Sequence, residues 1–343
     1  MYKYWGKTLL EHGGHLIDAA IKYNIPVKQW LDLSTGINPN GWPVPEIPTQ
    51  CWQRLPESSD NLISTARNYY QCDSILAVAG SQAAIQTLPL LRSQSKVGVL
   101  FPAYAEHGYN WKKAGHWLIE LTAEEIDKQL HQLDVLIIVN PNNPTARSFS
   151  KKQLLNWHKK LSERNGWLII DEAFMDSTPG NSLSRHLSEG LIILRSIGKF
   201  FGLAGIRTGF VIADESILAP LNEKLGPWAI SHPSRFIASC ALQDTVWQKQ
   251  TQEALKTQTN KLADILTKQD LRPDGKTDLF QWIQTPKAKD IHQFLAQHGI
   301  LTRLFTKPLS LRFGLPKNEH QLLYLEEKLS LFVETSRAKT GYN

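Results

Sequence analysis

The sequence has little of what secreted, membrane-spanning or metal-binding proteins usually show. Its three cysteines are scattered and lack the spacing of metal ligands, so we expect no metal site: Cys51, Cys72 and Cys240. A low, odd number of cysteines is typical of a reducing compartment. No apolar run reaches the length of a membrane span, and the N-terminus has no apolar stretch of signal-peptide length. These absences predict a cytoplasmic protein.

The chain also lacks a block of basic residues, although its formal net charge is +6 at pH 7. The basic residues are spread along the sequence, and no DNA- or RNA-binding motif is recognisable. An anionic small-molecule substrate accounts for a mild basic excess equally well. We therefore expect no nucleic acid and no membrane as partners. The 343 residues are enough for one large domain and a smaller one.

One lysine lies in surroundings where a solvated lysine is unusual. Lys199 follows an apolar, strand-like run over residues 191–194 and is surrounded by apolar, glycine and hydroxyl residues. Desolvation lowers the pKa of a lysine, and a neutral amine can condense with an aldehyde. Ser196 and Arg207 flank it, and a hydroxyl with a permanent cation is suited to hold a phosphate. An aldehyde and a phosphate on one small molecule indicate pyridoxal 5′-phosphate (PLP).

Strand-like and helix-like segments alternate from about residue 75 to 215, which predicts an α/β domain with a mainly parallel sheet. After the first of these strands, Gly80 permits a tight turn. The free backbone amides of Ser81 and Gln82 would then form an anion site where a helix begins. An ordinary serine cap is the bland alternative at this position.

Three further predicted strands deliver candidate cofactor ligands. Tyr104 follows the strand over residues 97–101 and offers an aromatic platform, although an aromatic ring is more often part of a core. Asn143 lies in a proline-fixed turn after the strand over residues 135–139, where a plain surface turn is the alternative. Asp171 directly follows an apolar strand, so its carboxylate is expected to be buried and to need a cationic partner such as a pyridinium nitrogen.

The two ends of the chain offer weaker signals. His12-Gly13-Gly14-His15 either wraps an anion or forms the entry turn of a helix over residues 16–23, and composition favours the entry turn. The turn-rich segment 35–43 suits the margin of an active site. The last eighty or so residues predict a smaller α+β domain. There Arg312 alternates with apolar neighbours and therefore faces either solvent or a cleft.

In order and spacing, these motifs resemble the fold-type I PLP enzymes of the aminotransferase class I/II superfamily, and the likeness covers most of the chain. The S-x-x-K…G-x-x-G-x-R-x-G pattern over residues 196–209 carries most of it. The resemblance implies a large domain with a mainly parallel sheet (residues 36–240), a small α+β domain (residues 241–343), an N-terminal segment associated with it (residues 1–35), and a homodimer.

The resemblance also implies roles for individual residues. Lys199 is implied to bind the cofactor aldehyde and Asp171 the ring nitrogen. Asn143 is implied to bind the phenolic oxygen, and Tyr104 to stack on the ring face. Lys199, Asp171 and Tyr104 are expected to be catalytic. The implied phosphate contacts are Gly80, Ser81, Gln82, Ser196 and Arg207. The expected substrate contacts are His12, Gly13, Ser34, Gly36, Asn38, Arg303 and Arg312.

Within the superfamily the motifs resemble two neighbouring branches, the histidinol-phosphate aminotransferases and a decarboxylase branch of cobalamin biosynthesis. Phe174 and Leu55 stand where the aminotransferases usually place tyrosines, and Ala146 stands where glycine usually follows Asn-Pro-Thr. The two lost hydroxyls favour decarboxylation of L-threonine O-3-phosphate to (R)-1-amino-2-propanol O-2-phosphate. The alternatives are a histidinol-phosphate-type aminotransferase and a non-catalytic regulator or scaffold with the PLP-enzyme fold.

Overall fold

The computed structural model describes residues 13–57 and 59–340, without the side chains of residues 337–340. The strands are β1 (Leu31–Asp32), β2 (Ile75–Val78), β3 (Lys96–Leu100), β4 (Trp117–Leu121), β5 (Val135–Val139), β6 (Trp167–Asp171), β7 (Leu191–Ser196), β8 (Gly209–Ile212), β9 (Gly275–Lys276), β10 (Phe280–Gln284), β11 (Ile300–Leu301), β12 (Arg303–Thr306) and β13 (Leu309–Gly314). The α-helices are α1 (Leu16–Tyr23), α2 (Gln50–Gln53), α3 (Leu62–Tyr70), α4 (Ser81–Thr87), α5 (Ala105–Lys113), α6 (Ile126–Gln129), α7 (Lys151–Ser162), α8 (Glu215–Leu225), α9 (His232–Gln243), α10 (Thr245–Lys268), α11 (Ala288–Gln297) and α12 (Glu319–Thr340).

A seven-stranded sheet organises the larger part of the chain. Its strand order is β2-β8-β7-β6-β5-β3-β4, and only β8 runs antiparallel to its neighbours. Every residue of β5 is buried, because successive side chains enter different cores on the two faces of the sheet. Leu136 packs into one of these cores and Ile137 into the other. The α/β fold predicted from the sequence is confirmed.

The carboxyl ends of parallel strands meet at one edge of this sheet. Register pairs Val139 of β5 with Asp171 of β6, and Asp171 with Leu194 of β7. The segments that follow these strands therefore begin side by side, and they carry the asparagine turn, the aspartate and the lysine segment. Ligands of open α/β sheets bind beyond this edge.

The C-terminal part contains a four-stranded antiparallel sheet in the order β12-β13-β10-β9. Strands β9 and β11 of this part have only two residues each, so they leave no periodicity from which a strand could be predicted. Strand β4 is a partly exposed strand at the edge of the large sheet. Asp244 separates α9 from α10.

The N-terminal segment joins this C-terminal part through β-pairing. Strand β1 lies parallel to β11, with Leu31 opposite Ile300. Helix α1 has the predicted bounds, Leu16–Tyr23. Between residues 13 and 340, leaving out residue 58, no helix has the length and apolar character needed to cross a membrane.

Candidate active site

Lys199 lies at the floor of a cavity of about 460 Å³ between the large sheet and the small-domain hairpin. Burial lowers the pKa of the Lys199 ammonium to about 8, and the positive charge of Arg312 adds to this effect. Asp171 acts in the opposite direction, and Arg207 lowers the pKa further. Near neutral pH a useful fraction of this lysine is therefore an uncharged amine, as its apolar sequence surroundings predict.

Asp171 ends β6 and is buried, as expected for a carboxylate after an apolar strand. Its Oδ2 lies 2.9 Å from Nε2 of His107, and its Oδ1 accepts a hydrogen bond from the Ala173 amide at 3.0 Å. His107 itself is 1% exposed. Both carboxylate oxygens are thus fixed in orientation before any ligand binds.

The residues expected to hold a phosphate come together around two glycines. A Cβ on Gly80 would lie 2.6 Å from the Arg207 guanidinium, and a Cβ on Gly209 would lie 2.6 Å from the Ser81 amide nitrogen. Ser196 pairs with Gly209 across β7 and β8, which brings its hydroxyl to the same place. The close approach of these groups depends on glycine at both positions. Gly80 (φ +71°) and Arg207 (φ +52°) both adopt left-handed backbone conformations.

Tyr104 caps the start of α5, and its ring lines the cavity. Its hydroxyl donates to Oε1 of Gln82 at 3.1 Å, and Nε2 of Gln82 donates to Oε2 of Glu106 at 2.8 Å. Burial raises the pKa of the Tyr104 phenol to about 12, and the nearby Glu106 and Asp171 carboxylates contribute to the rise. The Gln82 side chain is engaged with these two partners, whereas the group expected at the phosphate is the Gln82 backbone amide.

The charges around the cavity are of one sign. Four of its lining residues are cationic, and no aspartate or glutamate of the described chain lines it. The cations are Lys199, Arg303, Lys307 and Arg312. Arg303 of β12 lies directly opposite Arg312 of β13. Positive charge is therefore concentrated on this side of the cavity, which suits an anionic ligand.

Arg312 faces the cleft rather than solvent and is only 6% exposed. One guanidinium nitrogen donates to the backbone oxygen of Ser34 at 2.6 Å, and another donates to Oδ1 of Asn143. Its Nε has no hydrogen-bond partner within the described part of the chain. Burial, reinforced by Arg303, lowers the pKa of Arg312 to about 10. It is a desolvated cation held in place by neutral acceptors.

The N-terminal loop reaches the cavity through its backbone. Gly13 lines the cavity, and a Cβ there would lie 2.4 Å from the Ser34 backbone oxygen. The Ser34 hydroxyl accepts from the Gly14 amide at 2.8 Å and donates to Asp32 at 2.6 Å, so it supports the loop. His12, expected beside it, lies outside the described residues.

Asn38 does not line the cavity, which differs from the sequence expectation of a substrate contact. Its side-chain amide donates to the backbone oxygen of Phe200 at 2.9 Å, and its Oδ1 accepts from the Asn40 amide at 2.9 Å. Its backbone amide donates to the Lys199 carbonyl at 3.0 Å. The side chain is buried because it ties this loop to the lysine segment.

Phe174 forms an apolar wall next to the lysine. Nζ of Lys199 lies 5.7 Å from the centre of its ring. The ring packs edge-to-face on Phe280 at 5.1 Å, and a Cβ on Gly36 would lie 2.8 Å from it. Gly36, expected as a substrate contact, lines the cavity, and a larger residue at this position would collide with the Phe174 ring.

Three residues of the site were not found from the sequence. His107 and Glu106 lie on the first turn of α5, and Lys307 lies at the tip of the β12–β13 hairpin. His107 lies three residues after Tyr104, in the first helical turn that Tyr104 precedes, and the two rings are in edge contact, so the spacing is a signal for His107. The sequence around Lys307 contains no comparable signal, because its position at the cavity depends on how the β12–β13 hairpin packs.

The residues present fit the PLP that the sequence predicts. A lysine of lowered pKa and a tyrosine ring line the cavity, and both are close enough to Asp171 and Arg207 to be affected by their charges. Asp171 is a buried, oriented carboxylate, and Arg207 lies in a glycine-lined cradle with a hydroxyl and a backbone amide. Each matches one chemical feature of that molecule: its aldehyde, its ring nitrogen, its ring face and its phosphate.

The chain matches known proteins over nearly its whole length. Residues 52–329 match the family model described as aminotransferase class I and II. A threonine-phosphate decarboxylase from Pseudomonas aeruginosa is 48% identical over 327 residues, which is 95% of this chain and 99% of that protein. A protein of the same name from Sinorhizobium is 37% identical over 89% of this chain and 92% of its own length.

Among solved structures, the fold is similar to that of a histidinol-phosphate aminotransferase from Sinorhizobium meliloti in complex with pyridoxal-5'-phosphate. The TM-score is 0.81, and the alignment covers 98% of both chains. At 16% identity this likeness concerns the fold alone.

Proposed function

Because this chain belongs to the aminotransferase class I and II family, we propose that it is a PLP-dependent decarboxylase of L-threonine O-3-phosphate. The product is (R)-1-amino-2-propanol O-2-phosphate, a building block of cobalamin. The observation that carries the proposal is the cavity beside Lys199, which presents three further cations, Arg303, Lys307 and Arg312, and no carboxylate of the described chain to a small anionic amino-acid phosphate. The two relatives named threonine-phosphate decarboxylase support the same substrate.

The cofactor would be held by the residues around the sheet edge. Bound PLP supplies an aldehyde for amines and a ring that accepts the electron pair left when carbon dioxide departs. Lys199 would bind the aldehyde through Nζ. Asp171, oriented by His107 and the Ala173 amide, would keep the ring nitrogen protonated through its negative charge. Arg207 and Ser196, with the Ser81 amide, would hold the phosphate.

The other residues orient the substrate and move protons. Arg303, Arg312 and His12 are the proposed anchors of the substrate phosphate and carboxylate, and glycine at position 13 lets its loop approach the Ser34 backbone close to Arg312. Since the pKa of Lys199 is about 8, its Nζ both holds and releases a proton near neutral pH. It is therefore suited to protonate the substrate carbon that has lost its carboxylate.

Phe174 distinguishes this site from an amino-transfer site. Its ring lacks the hydroxyl that the aminotransferase branch is expected to place there, and it packs against Phe280 beside Lys199. The lysine amine therefore has an apolar neighbour on this side rather than a proton donor. This favours decarboxylation over the histidinol-phosphate-type alternative.

We further propose a cytoplasmic homodimer with two units per chain. Residues 36–240 would form the cofactor unit, and residues 1–35 with 241–343 the smaller one, which the pairing of β1 with β11 supports. Because α9 continues to Gln243, Asp244 suits the boundary better than residue 240. Trp52 (66% exposed) and Leu55 (61% exposed) offer apolar surface for the second copy. Sedimentation equilibrium tests the dimer.

The function is tested by incubating the PLP-loaded protein with L-threonine O-3-phosphate while following carbon dioxide and cofactor absorbance. We expect many turnovers of carbon dioxide per chain without an added 2-oxoacid. Conversion of the cofactor to its amine form by glutamate or histidinol phosphate, without carbon dioxide, would assign the chain to amino transfer. Neither reaction, despite reducible attachment of PLP to Lys199, would reject the substrate and leave the cofactor assignment standing.

A further inference from the structure

We infer that Gln82 and Glu106 are positioning residues for the Tyr104 ring, and that the Gln82 side chain does not hold the cofactor phosphate. The inference rests on the proposed function only in requiring that PLP binds. It concerns a chain of hydrogen bonds that joins the cavity wall to the first turn of α5.

Glu106 determines which group donates in each hydrogen bond of this series. The ionised Glu106 carboxylate has only acceptors, so the group of Gln82 that lies 2.8 Å from it must be the amide nitrogen. The Gln82 oxygen then points to Tyr104, and across 3.1 Å it can only accept. In this bond the Tyr104 hydroxyl donates its proton to Gln82.

Glu106 is itself anchored, which makes it a fixed reference for the chain. Nδ2 of Asn110, one turn further along α5, donates to the Glu106 carboxylate at 2.9 Å and to the Glu106 backbone oxygen at 2.8 Å. Asn110 is buried. The carboxylate thus cannot swing away without breaking contacts within its own helix, and the order carboxylate, amide, phenol is maintained.

The consequence concerns the role of Tyr104. A phenol that donates to an amide oxygen, and whose pKa burial raises to about 12, supplies no proton to a substrate near neutral pH. What the hydrogen-bonded chain provides is a fixed ring plane at the cavity wall. Tyr104 then acts by stacking on the cofactor, and its hydroxyl serves as the handle by which Gln82 holds the ring.

A double-mutant cycle on cofactor binding tests this inference without any substrate. The variants are Y104F, Q82M and the pair, and the measured quantities are the PLP dissociation constant and the visible circular dichroism of bound PLP. Each single substitution removes the same hydrogen bond, so each should weaken binding by about three- to tenfold, the range of one net hydrogen bond. The double variant should then be no weaker than either single one.

Pyridoxal, which lacks the phosphate, separates the two roles of Gln82. If Gln82 positions the ring, Q82M weakens pyridoxal and PLP by the same factor. An effect of Q82M that disappears with pyridoxal, or additive effects in the double variant, would overturn the inference and return Gln82 to the phosphate.

E106Q provides the second line of test. It frees the Gln82 amide to reverse, so the dichroism of bound PLP should change in E106Q with Tyr104 present and stay unchanged when E106Q is added to Y104F. Q94A is the control. Gln94 precedes β3 at the opposite edge of the sheet, and its side-chain amide donates to the Gly115 backbone oxygen. If the effects of Y104F and Q82M on PLP binding add while the protein still releases carbon dioxide, this inference alone is rejected. If the two effects are coupled but no carbon dioxide is released, only the proposed substrate is rejected.

Discussion

The two sides of the cavity are built in different ways. The cofactor side comes from one sheet edge, where Asp171 and the segment that carries Lys199 follow neighbouring strands. The substrate side is assembled from separate pieces of chain: the glycine loop at Gly13 and the hairpin that carries Arg303 and Arg312. The first is a consequence of strand register, and the second depends on how distant segments pack together.

This difference explains where chemistry and specificity reside. Register places the cofactor ligands with the accuracy of backbone hydrogen bonds, so the same edge can serve many reactions. The separate pieces can change one at a time, and here they supply cations. We therefore expect substitutions on the cofactor side to abolish every reaction, and those on the substrate side to change affinity and selectivity.

The largest effect is expected from Lys199→Ala on the cofactor side. It removes both the amine that binds the cofactor aldehyde and the proton donor, so the decarboxylation rate should fall by at least about 10³-fold. Carbon dioxide release with saturating PLP measures the loss. Borohydride treatment should no longer fix PLP to the protein. Retention of more than a tenth of the activity would contradict the assignment of Lys199.

A smaller but selective effect is expected from Arg312→Gln on the substrate side. Losing a buried cation that faces the substrate anion should lower kcat/KM by about 10²-fold, which corresponds to about 2.7 kcal/mol. The change should lie mainly in KM for L-threonine O-3-phosphate, while PLP affinity is retained. Equal losses in PLP binding and substrate binding would show that the two sides are not separable at this residue.

The Arg312→Gln variant should also shift the pH dependence of PLP attachment to Lys199 toward higher pH. Arg312 is the largest charge effect that lowers the pKa of Lys199 from its ordinary value to about 8. Removing that cation makes the ammonium form of Lys199 less unfavourable, so its pKa should rise. The rate at which PLP attaches to the cofactor-free protein needs the neutral amine. Its half-maximal pH should therefore move upward from about 8 in Arg312→Gln.

How far the sequence could predict the site follows the same division. The apolar run before Asp171 and the glycines around Lys199 have local causes, so their roles were readable. The burial of Arg312 was left open, because alternation gives a face but not what covers it. Asn38 was assigned to the substrate, because its bond to Phe200 joins residues 162 positions apart and leaves no local pattern.

Lys307→Gln should give a modest effect that sharpens the comparison. The register pairs Thr306 with Leu309, so Lys307 lies exposed at the hairpin tip and lines the cavity mouth. An exposed cation there assists capture of the dianion, so kcat/KM should fall about threefold at low salt and recover at high salt. Lys317→Gln, an exposed lysine outside the cavity lining, is the control. A salt-independent loss would contradict an electrostatic role.

The smallest effect concerns the turn that joins the two sides, where Ala146 replaces the expected glycine. Ala146 has φ +59°, a left-handed conformation that costs an alanine about 1–2 kcal/mol. The turn is held there because the Ala146 amide donates to the Asn142 carbonyl at 2.8 Å. Ala146→Gly should relieve this strain and stabilise the protein by up to about 1 kcal/mol, after the greater entropy of glycine in the unfolded chain is subtracted.

The measurement is the thermal unfolding midpoint, with Ala263→Gly inside helix α10 as the matched control. Ala263 lies in ordinary helical backbone, so glycine there should destabilise by about 1 kcal/mol. The same chemical change should thus shift the midpoint in opposite directions at the two positions. If Ala146→Gly also lowers the midpoint, packing of the Ala146 methyl against the core outweighs the backbone strain. The turn would then be stabilised by its contacts rather than strained by its sequence.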